Sequence, residues 1–70
     1  MNEEEIRKSF GDKVRAKRKA INLAQDKLAY LAEIDRSYVG KIERGLVNIT
    51  ITKAYKLAEV LECSIHDLMP

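Results

Sequence analysis

The sequence predicts a small all-α protein, a compact five-helix bundle that occupies residues 1–70 as a single domain. Three observations support this prediction. The only proline is Pro70, the last residue, so no proline interrupts a helix. Apolar residues recur at intervals of three and four along most of the chain, which is the spacing of one face of an α-helix. The single β-branched cluster, residues 47–52, follows a glycine and lacks a partner strand, so we interpret it as a loop that enters a helix.

The composition is that of a globular protein in a reducing compartment. Hydrophobic residues make up 46% of the sequence and charged residues 34%, as in a folded domain rather than a disordered segment. A chain of 70 residues buries only about 60% of the surface that its unfolded form exposes, so pairing with a second copy would add stability. The single cysteine, Cys63, cannot form an internal disulfide. We therefore expect a cytoplasmic protein.

Several function classes find no support in the residue pattern. No apolar run is long enough to span a bilayer, and the N-terminus lacks the basic and then apolar order of a signal peptide, so we expect no membrane contact. Cys63 and His66 have no second ligand at useful spacing, and we expect neither a metal nor a cofactor. The sequence has no carboxylate pair, Cys–His pair or glycine-rich phosphate loop, so we expect neither an enzyme nor a small-molecule ligand.

The charge distribution is more informative than the net charge. The net charge of +2 does not by itself indicate a nucleic-acid partner, because 13 basic side chains are nearly matched by 11 acidic ones. A dense basic run nevertheless occupies residues 13–19. Taken alone, such a run is more typical of a solvated helix face than of a binding surface.

The first predicted helix runs from about Glu3 to Ala20. Acids in its first turn and bases in its last turn complement the helix dipole. Gly11 lowers helix stability, but a small residue suits a position where another element approaches. The apolar stripe that we expect to face the core consists of Ile6, Phe10 and Val14.

Two short helices are predicted next, separated by a turn of three residues. The second helix spans about Gln25 to Ala32 and is expected to turn Leu28, Leu31 and Ala32 inward. Asp35 is a good N-cap for the third helix, which spans about Arg36 to Arg44. Gly45 suits the left-handed position that follows a helix end.

A fourth helix is predicted from Ile51 to about Leu61, with Thr50 as its N-cap and a core-facing stripe of Ile51, Ala54, Ala58 and Leu61. Ser64 then opens a fifth helical segment, residues 65–69. Ser64 and Asp67 form a variant of the capping box.

The third helix has two unlike sides. Val39 and Ile42 lie close together on one side, at about 100° per residue. Donors occupy the opposite side, where guanine in a major groove would present acceptors. Any surface helix carries polar residues outward, so this face alone does not decide between solvent and DNA. The residues that fall within roughly 140° on the outer side are Arg36, Ser37, Gly40, Lys41 and Arg44.

A run of matched positions from Phe10 to Met69 resembles the phage repressor and Cro type of helix-turn-helix family, the lambda repressor-like domains. The resemblance implies a five-helix domain that binds double-stranded DNA as a homodimer on a two-fold related operator and regulates transcription. The stretch from Asp35 to Thr50 is similar to restriction–modification controller proteins in particular, and many repressors of mobile elements share the same segment. The residues that carry the family match are Leu23, Ala24, Gln25, Leu28, Ala29, Arg36, Ser37, Tyr38, Val39, Ile42, Glu43, Arg44, Gly45, Leu57, Ala58, Leu61, Asp67 and Leu68.

The resemblance also implies roles for individual residues. Gln25 would touch a phosphate. Base edges would be faced by Arg36, Ser37 and Lys41. The DNA backbone would be held by Tyr38, Arg44 and Asn48, and a structural ion pair would join Arg18 to Glu43.

We expect the dimer interface in or near Ile65, Leu68 and Met69. A final amphipathic turn offers more apolar surface than so short a chain easily covers, and a two-fold operator needs two copies.

The chain departs from the family at three positions. Ala24 stands where the family has serine or threonine, so the second helix lacks a side-chain cap. Glu33 and Glu62 stand where glycine is usual or frequent. We therefore expect Glu33 to end the second helix with a positive φ, at a cost of order 1 kcal/mol.

The alternative to a DNA-binding regulator is a protein-interaction module, such as an antitoxin that uses the same helical fold to clamp a partner. That hypothesis predicts a long interaction tail. The sequence ends at Pro70, directly after the last predicted helix, and we expect no such tail.

Overall fold

The computed structural model describes all residues from 1 to 70 and contains helices but no strands. Its elements are α1 (Glu3–Ala20), α2 (Gln25–Ala32), α3 (Arg36–Glu43), α4 (Ile51–Val60) and a final 3-10 turn (Ile65–Asp67). The predicted all-helical fold is confirmed. The fifth element is shorter than predicted and is a single 3-10 turn rather than an α-helix.

Side-chain caps fix the starts of three helices. The Asn2 side chain accepts from the backbone N–H of Glu5 at 2.8 Å, and the Glu5 carboxylate accepts from the Asn2 backbone N–H at 3.1 Å. Asp35 accepts from the Ser37 N–H at 3.1 Å, and Thr50 accepts from the Lys53 N–H at 3.2 Å. Both of these predicted caps are confirmed. α2 begins without a side-chain cap, as its alanine predicts.

Left-handed backbone conformations end α1, α2 and α4. Glu33 has a φ of 57°, as predicted, and Glu62 has a φ of 58° at the corresponding point after α4. Asn22 has a φ of 55° after α1. Gly45 follows α3 with a φ of 73°, which confirms its predicted position beyond the helix end.

The core forms where α3 packs against α1 and α2, and where α4 packs against α2 and the final turn. Every large side chain in it is aliphatic except one phenylalanine. The buried hydrophobic residues are Phe10, Val14, Leu28, Ala29, Ala32, Ile34, Val39, Ile42, Ala54, Leu57, Ala58, Leu61 and Leu68.

Three residues that were predicted to face the core are exposed: Ile6, Leu31 and Ile51. Leu31 lies about 110° around the α2 axis from the centre of the buried face of that helix. The buried face includes Ala29 instead of Leu31. Ile51 is the first residue of α4, outside the arc of Ala54, Leu57 and Ala58 that is buried. Ile6 borders an open groove near the chain end, so only part of its surface is covered.

Gly11 allows α1 to lie directly against the end of α3. A Cβ atom at Gly11 would stand 2.3 Å from the carbonyl oxygen of Ile42 and 2.7 Å from that of Glu43. A second close approach occurs at Gly45, where a Cβ would meet the Cα of Lys8 at 2.8 Å. Gly11 thus stands where another element approaches, and its lack of a side chain lets α1 contact α3 directly.

Candidate nucleic-acid interface

A turn of three residues sets α3 at an angle to α2. The left-handed Glu33 ends α2, the side chain of Ile34 is buried in the core, and the carboxylate of Asp35 caps α3. Ile34 therefore anchors the turn while the residues on either side of it redirect the chain. This geometry is that of a helix-turn-helix.

α3 has a buried side and an outward side, as its sequence predicts. Val39 is 0%, Ile42 is 2% and Glu43 is 4% exposed. The outward side carries four exposed residues, Arg36, Ser37, Lys41 and Arg44. Gly40 lies between them, and a Cβ there would make only ordinary contacts, 3.9 Å from Arg44 Nη2 and 4.0 Å from Gln25 Oε1. The middle of the outward side is therefore flat and accessible.

The outward side of α3 borders a polar cleft that contains no hydrophobic residue. Five cationic side chains line the cleft, and its one acid, Glu43, is engaged in an ion pair. Such a surface attracts polyanions. Arg15 belongs to this cleft but was not assigned a role from the sequence, although it lies in the basic run of residues 13–19. The residues lining the cleft are Arg15, Arg18, Gln25, Arg36, Ser37, Gly40, Lys41, Glu43 and Arg44.

The predicted ion pair between Arg18 and Glu43 is present and forms the floor of the cleft. Arg18 Nε donates to Glu43 Oε2 at 2.6 Å and Arg18 Nη2 donates to Glu43 Oε1 at 3.0 Å, a bidentate arrangement. Arg18 Nη1 also donates to the carbonyl oxygen of Leu23 at 2.8 Å. The hydrogen bonding of the Arg18 guanidinium to the Glu43 carboxylate is the main reason that the pKa of Arg18 is raised above its ordinary value, against an opposing effect of burial. The pair therefore connects α1, the segment before α2, and α3.

Gln25 takes part in the same network. Its side-chain Nε2 donates to Glu43 Oε1 at 3.0 Å, which was not anticipated from the sequence. The side chain predicted to touch a phosphate thus also helps to hold α3. The N-terminus of α2, where Gln25 is the first residue, lacks a side-chain cap, so its first backbone N–H groups remain available to an acceptor outside the protein.

Local partners hold the outward residues of α3. Arg36 Nε donates to the carboxylate of Asp26 on α2, and the Ser37 hydroxyl donates to Asp35. The hydrogen bonds from the Ser37 side chain and backbone lower the pKa of Asp35 below its ordinary value. Arg44 Nε donates to the carbonyl oxygen of Gly40 at 3.2 Å. The pair between Asp26 and Arg36 was not expected from the sequence.

Tyr38 and Asn48 are brought together beside the cleft. The Tyr38 hydroxyl donates its only proton to the carbonyl oxygen of Asn48 at 2.6 Å. The ammonium group of Lys53 lies 4.7 Å from the centre of the Tyr38 ring. These contacts fix the loop after α3, and the Asn48 side chain stays exposed at its surface.

The structure corrects one residue of the predicted dimer surface. Leu68 is fully buried within the chain itself, so its side chain offers nothing to a second copy. Leu68 completes the core because the 3-10 turn directs its side chain inward against α4. Ile65 is half-buried, and Met69 is exposed. Ile51 and Tyr55 on α4 are also exposed and share an open groove with Ile65.

Two further features are absent from the structure, a cluster of metal-ligating side chains and a membrane-spanning helix. No group of three or more His, Cys, Asp or Glu side chains is placed so that it could hold a metal ion. No helix has both the length and the apolar character that crossing a membrane requires.

Comparison with known proteins gives a consistent result. A family model described as helix-turn-helix, HTH_3, matches residues 14–68. The chain is 37% identical over 65 residues to the control protein C.BamHI of Bacillus amyloliquefaciens, covering 91% of this chain and 80% of that protein.

Two solved structures extend the comparison. The restriction–modification controller protein C.AhdI of Aeromonas hydrophila is 40% identical, with a TM-score of 0.86 over 89% of this chain and 94% of that chain. The biofilm regulator SinR, solved in complex with DNA, is 33% identical, with a TM-score of 0.80 over 84% of this chain and 95% of that chain.

Proposed function

The chain belongs to the helix-turn-helix family HTH_3, and on that premise we propose that it is a transcriptional regulator that binds double-stranded DNA sequence-specifically. α3 enters the major groove of the operator, and α2 lies across the phosphate backbone. The relatives named above, two controller proteins and a regulator solved with DNA, support this proposal. The domain comprises residues 1–70 and acts in the cytoplasm, where its DNA is accessible.

One observation supports the proposal more than any other, namely the division of α3 into a buried side and a polar outward side. The buried side fixes the helix in the core, and the outward side presents donors around an accessible glycine. Guanine presents the acceptors O6 and N7 in the major groove, and Arg or Lys can reach both. The polar cleft beside α3 adds the positive charge that phosphates require.

The proposed roles follow from position. Arg36, Ser37 and Lys41 lie on the outward side and face base edges. Arg44 and Asn48 lie at the far end and contact the backbone, together with Tyr38, whose hydroxyl must release the carbonyl of Asn48 if it is to donate to a phosphate.

Gln25 is proposed to contact a phosphate at the start of α2. The uncapped N-terminus of this helix supports the assignment, because free backbone N–H groups and the helix dipole both favour an anion. Arg15 lines the same cleft and is proposed as an additional phosphate contact. These contacts place the protein on the duplex, and the residues of α3 supply sequence preference.

We further propose that two copies bind a two-fold related operator, with their recognition helices about 34 Å apart. Ile65 and Met69 lie in or near the interface, and the neighbouring exposed residues Ile51 and Tyr55 extend this apolar surface. Sedimentation at tens of micromolar tests the proposal. A monomer that also fails to pair on DNA would contradict it.

The function is tested by titrating the protein with DNA from around its own gene and with unrelated DNA, each at two salt concentrations. We expect an operator that binds roughly a thousandfold or more tightly than unrelated DNA. Equal affinity for both would contradict sequence-specific binding and favour a protein-interaction module built on the same fold.

A further inference from the structure

Asp26 is the one acid that forms an ion pair with an outward residue of α3. It lies on α2, and its carboxylate accepts from Arg36 Nε. Both side chains are well exposed, 69% for Arg36 and 68% for Asp26. An ion pair with this exposure contributes little to folding stability. The pair is therefore not explained by a need to hold the two helices together.

The charge of Asp26 is also unfavourable for general DNA affinity. It stands beside the N-terminus of α3, the end that reaches furthest into the groove in the proposed docking. A carboxylate there repels the phosphates of every sequence equally. Asp26 lies in the first turn of α2, where an acid favours the helix dipole; for DNA binding, an acid in this position is useful if it improves discrimination between sequences.

The contact with Asp26 determines which edge of the Arg36 guanidinium is presented. Nε is occupied, and neither Nη1 nor Nη2 donates a hydrogen bond within the protein. The two terminal nitrogens form a planar fork whose geometry matches O6 and N7 of guanine. The Asp26 carboxylate also disfavours rotation of Arg36 toward a phosphate, because that rotation would leave Asp26 unpaired near a negative charge. When DNA covers the pair and excludes water, the attraction between them becomes stronger.

We propose that Asp26 is a positioning residue that makes Arg36 selective for guanine. This inference rests on the proposed function, since it concerns how the same surface discriminates between bases. It assigns to α2 a part in sequence preference beyond its proposed contact with the DNA backbone.

The test is selection from a pool of DNA duplexes with a randomised core, carried out with the wild-type chain, Asp26→Asn, Asp26→Ala and Arg36→Ala. Arg36→Ala identifies the base pair that depends on Arg36. At that pair we expect both Asp26 variants to reduce the preference for guanine by roughly threefold to tenfold. Binding to an unrelated duplex should stay equal or become tighter, because a repelling charge has been removed.

Two controls isolate the positioning role. Asp12→Asn removes a carboxylate of similar exposure that pairs with Lys8 on α1, at 3.0 Å, and it should leave base preference unchanged. In the Arg36→Ala background, Asp26→Asn should cause no further loss of preference, because the two residues act through one contact. Thermal unfolding of each variant establishes that the selections are made on folded protein.

The outcomes are distinguishable. If the wild-type chain enriches no sequence, the proposed function itself fails. If a sequence is enriched and the Asp26 variants merely bind all DNA more tightly with the same preference, the positioning role is overturned. A changed preference at a different base pair, persisting in the Arg36→Ala background, would also overturn it, since Asp26 would then contact a base itself.

Discussion

Arg18 and Glu43 form a partly buried bidentate ion pair, with Arg18 Nε 2.6 Å from Glu43 Oε2, that joins α1 to the C-terminal end of α3. The Glu43 carboxylate receives a further hydrogen bond from Gln25 on α2. Three helices therefore converge on one carboxylate. Glu43 is the one charged residue that is buried, so its hydrogen bonds help to fix where the end of α3 lies.

Removing Arg18 should strongly destabilise the fold. Arg18→Met leaves the Glu43 charge buried without a cation, at an expected cost of about 3–5 kcal/mol in the free energy of unfolding. The double variant Arg18→Met with Glu43→Leu should recover much of that loss, because no unpaired charge remains. Urea unfolding measures both values. Lys8→Met, which breaks an exposed pair, serves as the control and should cost at most about 1 kcal/mol. A similarly small cost for Arg18→Met would contradict the argument.

Two glycines should respond oppositely to alanine. Gly11→Ala places a methyl group 2.3 Å from a backbone oxygen of α3, so α1 must move away, at a cost of about 1–3 kcal/mol or more. Gly40→Ala makes no contact closer than 3.9 Å and gains helix propensity, so it should stabilise by up to about 1 kcal/mol. The same methyl stands on the outward side of α3 and should weaken DNA binding. Thermal unfolding and DNA titration of both variants test these expectations. A Gly40→Ala variant that is less stable than the wild-type chain would contradict the predicted gain in stability.

Glu33→Gly should be neutral or stabilising, by at most about 1 kcal/mol, because it relieves a left-handed backbone conformation at a φ of 57°. Ala32→Gly, one residue earlier and inside α2, is the matched control and should destabilise by about 1 kcal/mol. Chemical unfolding of the two variants gives the comparison. Clear destabilisation by Glu33→Gly would show that the backbone there is not strained.

Acid should weaken the cap of α3. The pKa of Asp35 is lowered by hydrogen bonds from Ser37, so the unfolded chain binds its proton at higher pH than the folded chain does. The stabilisation is therefore complete above the ordinary pKa of 3.8 and is lost as the pH falls through the lower folded-state value. Asp35→Asn keeps a capping oxygen but does not titrate. Urea midpoints of the two proteins, measured from neutral to strongly acidic pH, should converge in acid, whereas parallel curves would refute the prediction.

Three substitutions should separate base contacts from backbone contacts. Arg36→Ala should cost about 1–3 kcal/mol per half-site and relax preference at one base pair. Arg44→Ala should weaken all sequences and flatten the dependence of log K on log salt by about one unit. Gln25→Ala should also weaken all sequences but leave that slope nearly unchanged, because the side chain is neutral. Titrations over operator variants and salt provide the measurement. If Arg36→Ala lowers every affinity alike, Arg36 binds a phosphate.

Most of the helix boundaries could be predicted because the signals are local. Asp35, Thr50 and Gly45 mark starts and ends through hydrogen bonds and backbone preferences within a few residues of their own position. The exposed state of Leu31 and Ile51 could not be predicted in the same way. Their burial depends on which neighbouring element covers them, and helical spacing says nothing about that.

The site was predictable in its outward residues and less so in its internal contacts. Arg36 and Lys41 follow from the angular position around one helix. The contact of Asp26 with Arg36 and that of Gln25 with Glu43 join different helices. Such contacts depend on the angle that the turn imposes, which the residue pattern does not specify.

The division of α3 also affects how this protein can evolve. The outward residues Arg36, Ser37 and Lys41 take no part in the hydrophobic core, whereas Val39 and Ile42 belong to it. Mutations at the first group leave the folding free energy almost untouched, so selection against unfolded variants does not oppose them. In the proposed docking, a duplicated gene therefore needs only a few point mutations on one helix face to acquire a different regulatory target, and lineages that share this scaffold can diverge in target while their architecture stays the same.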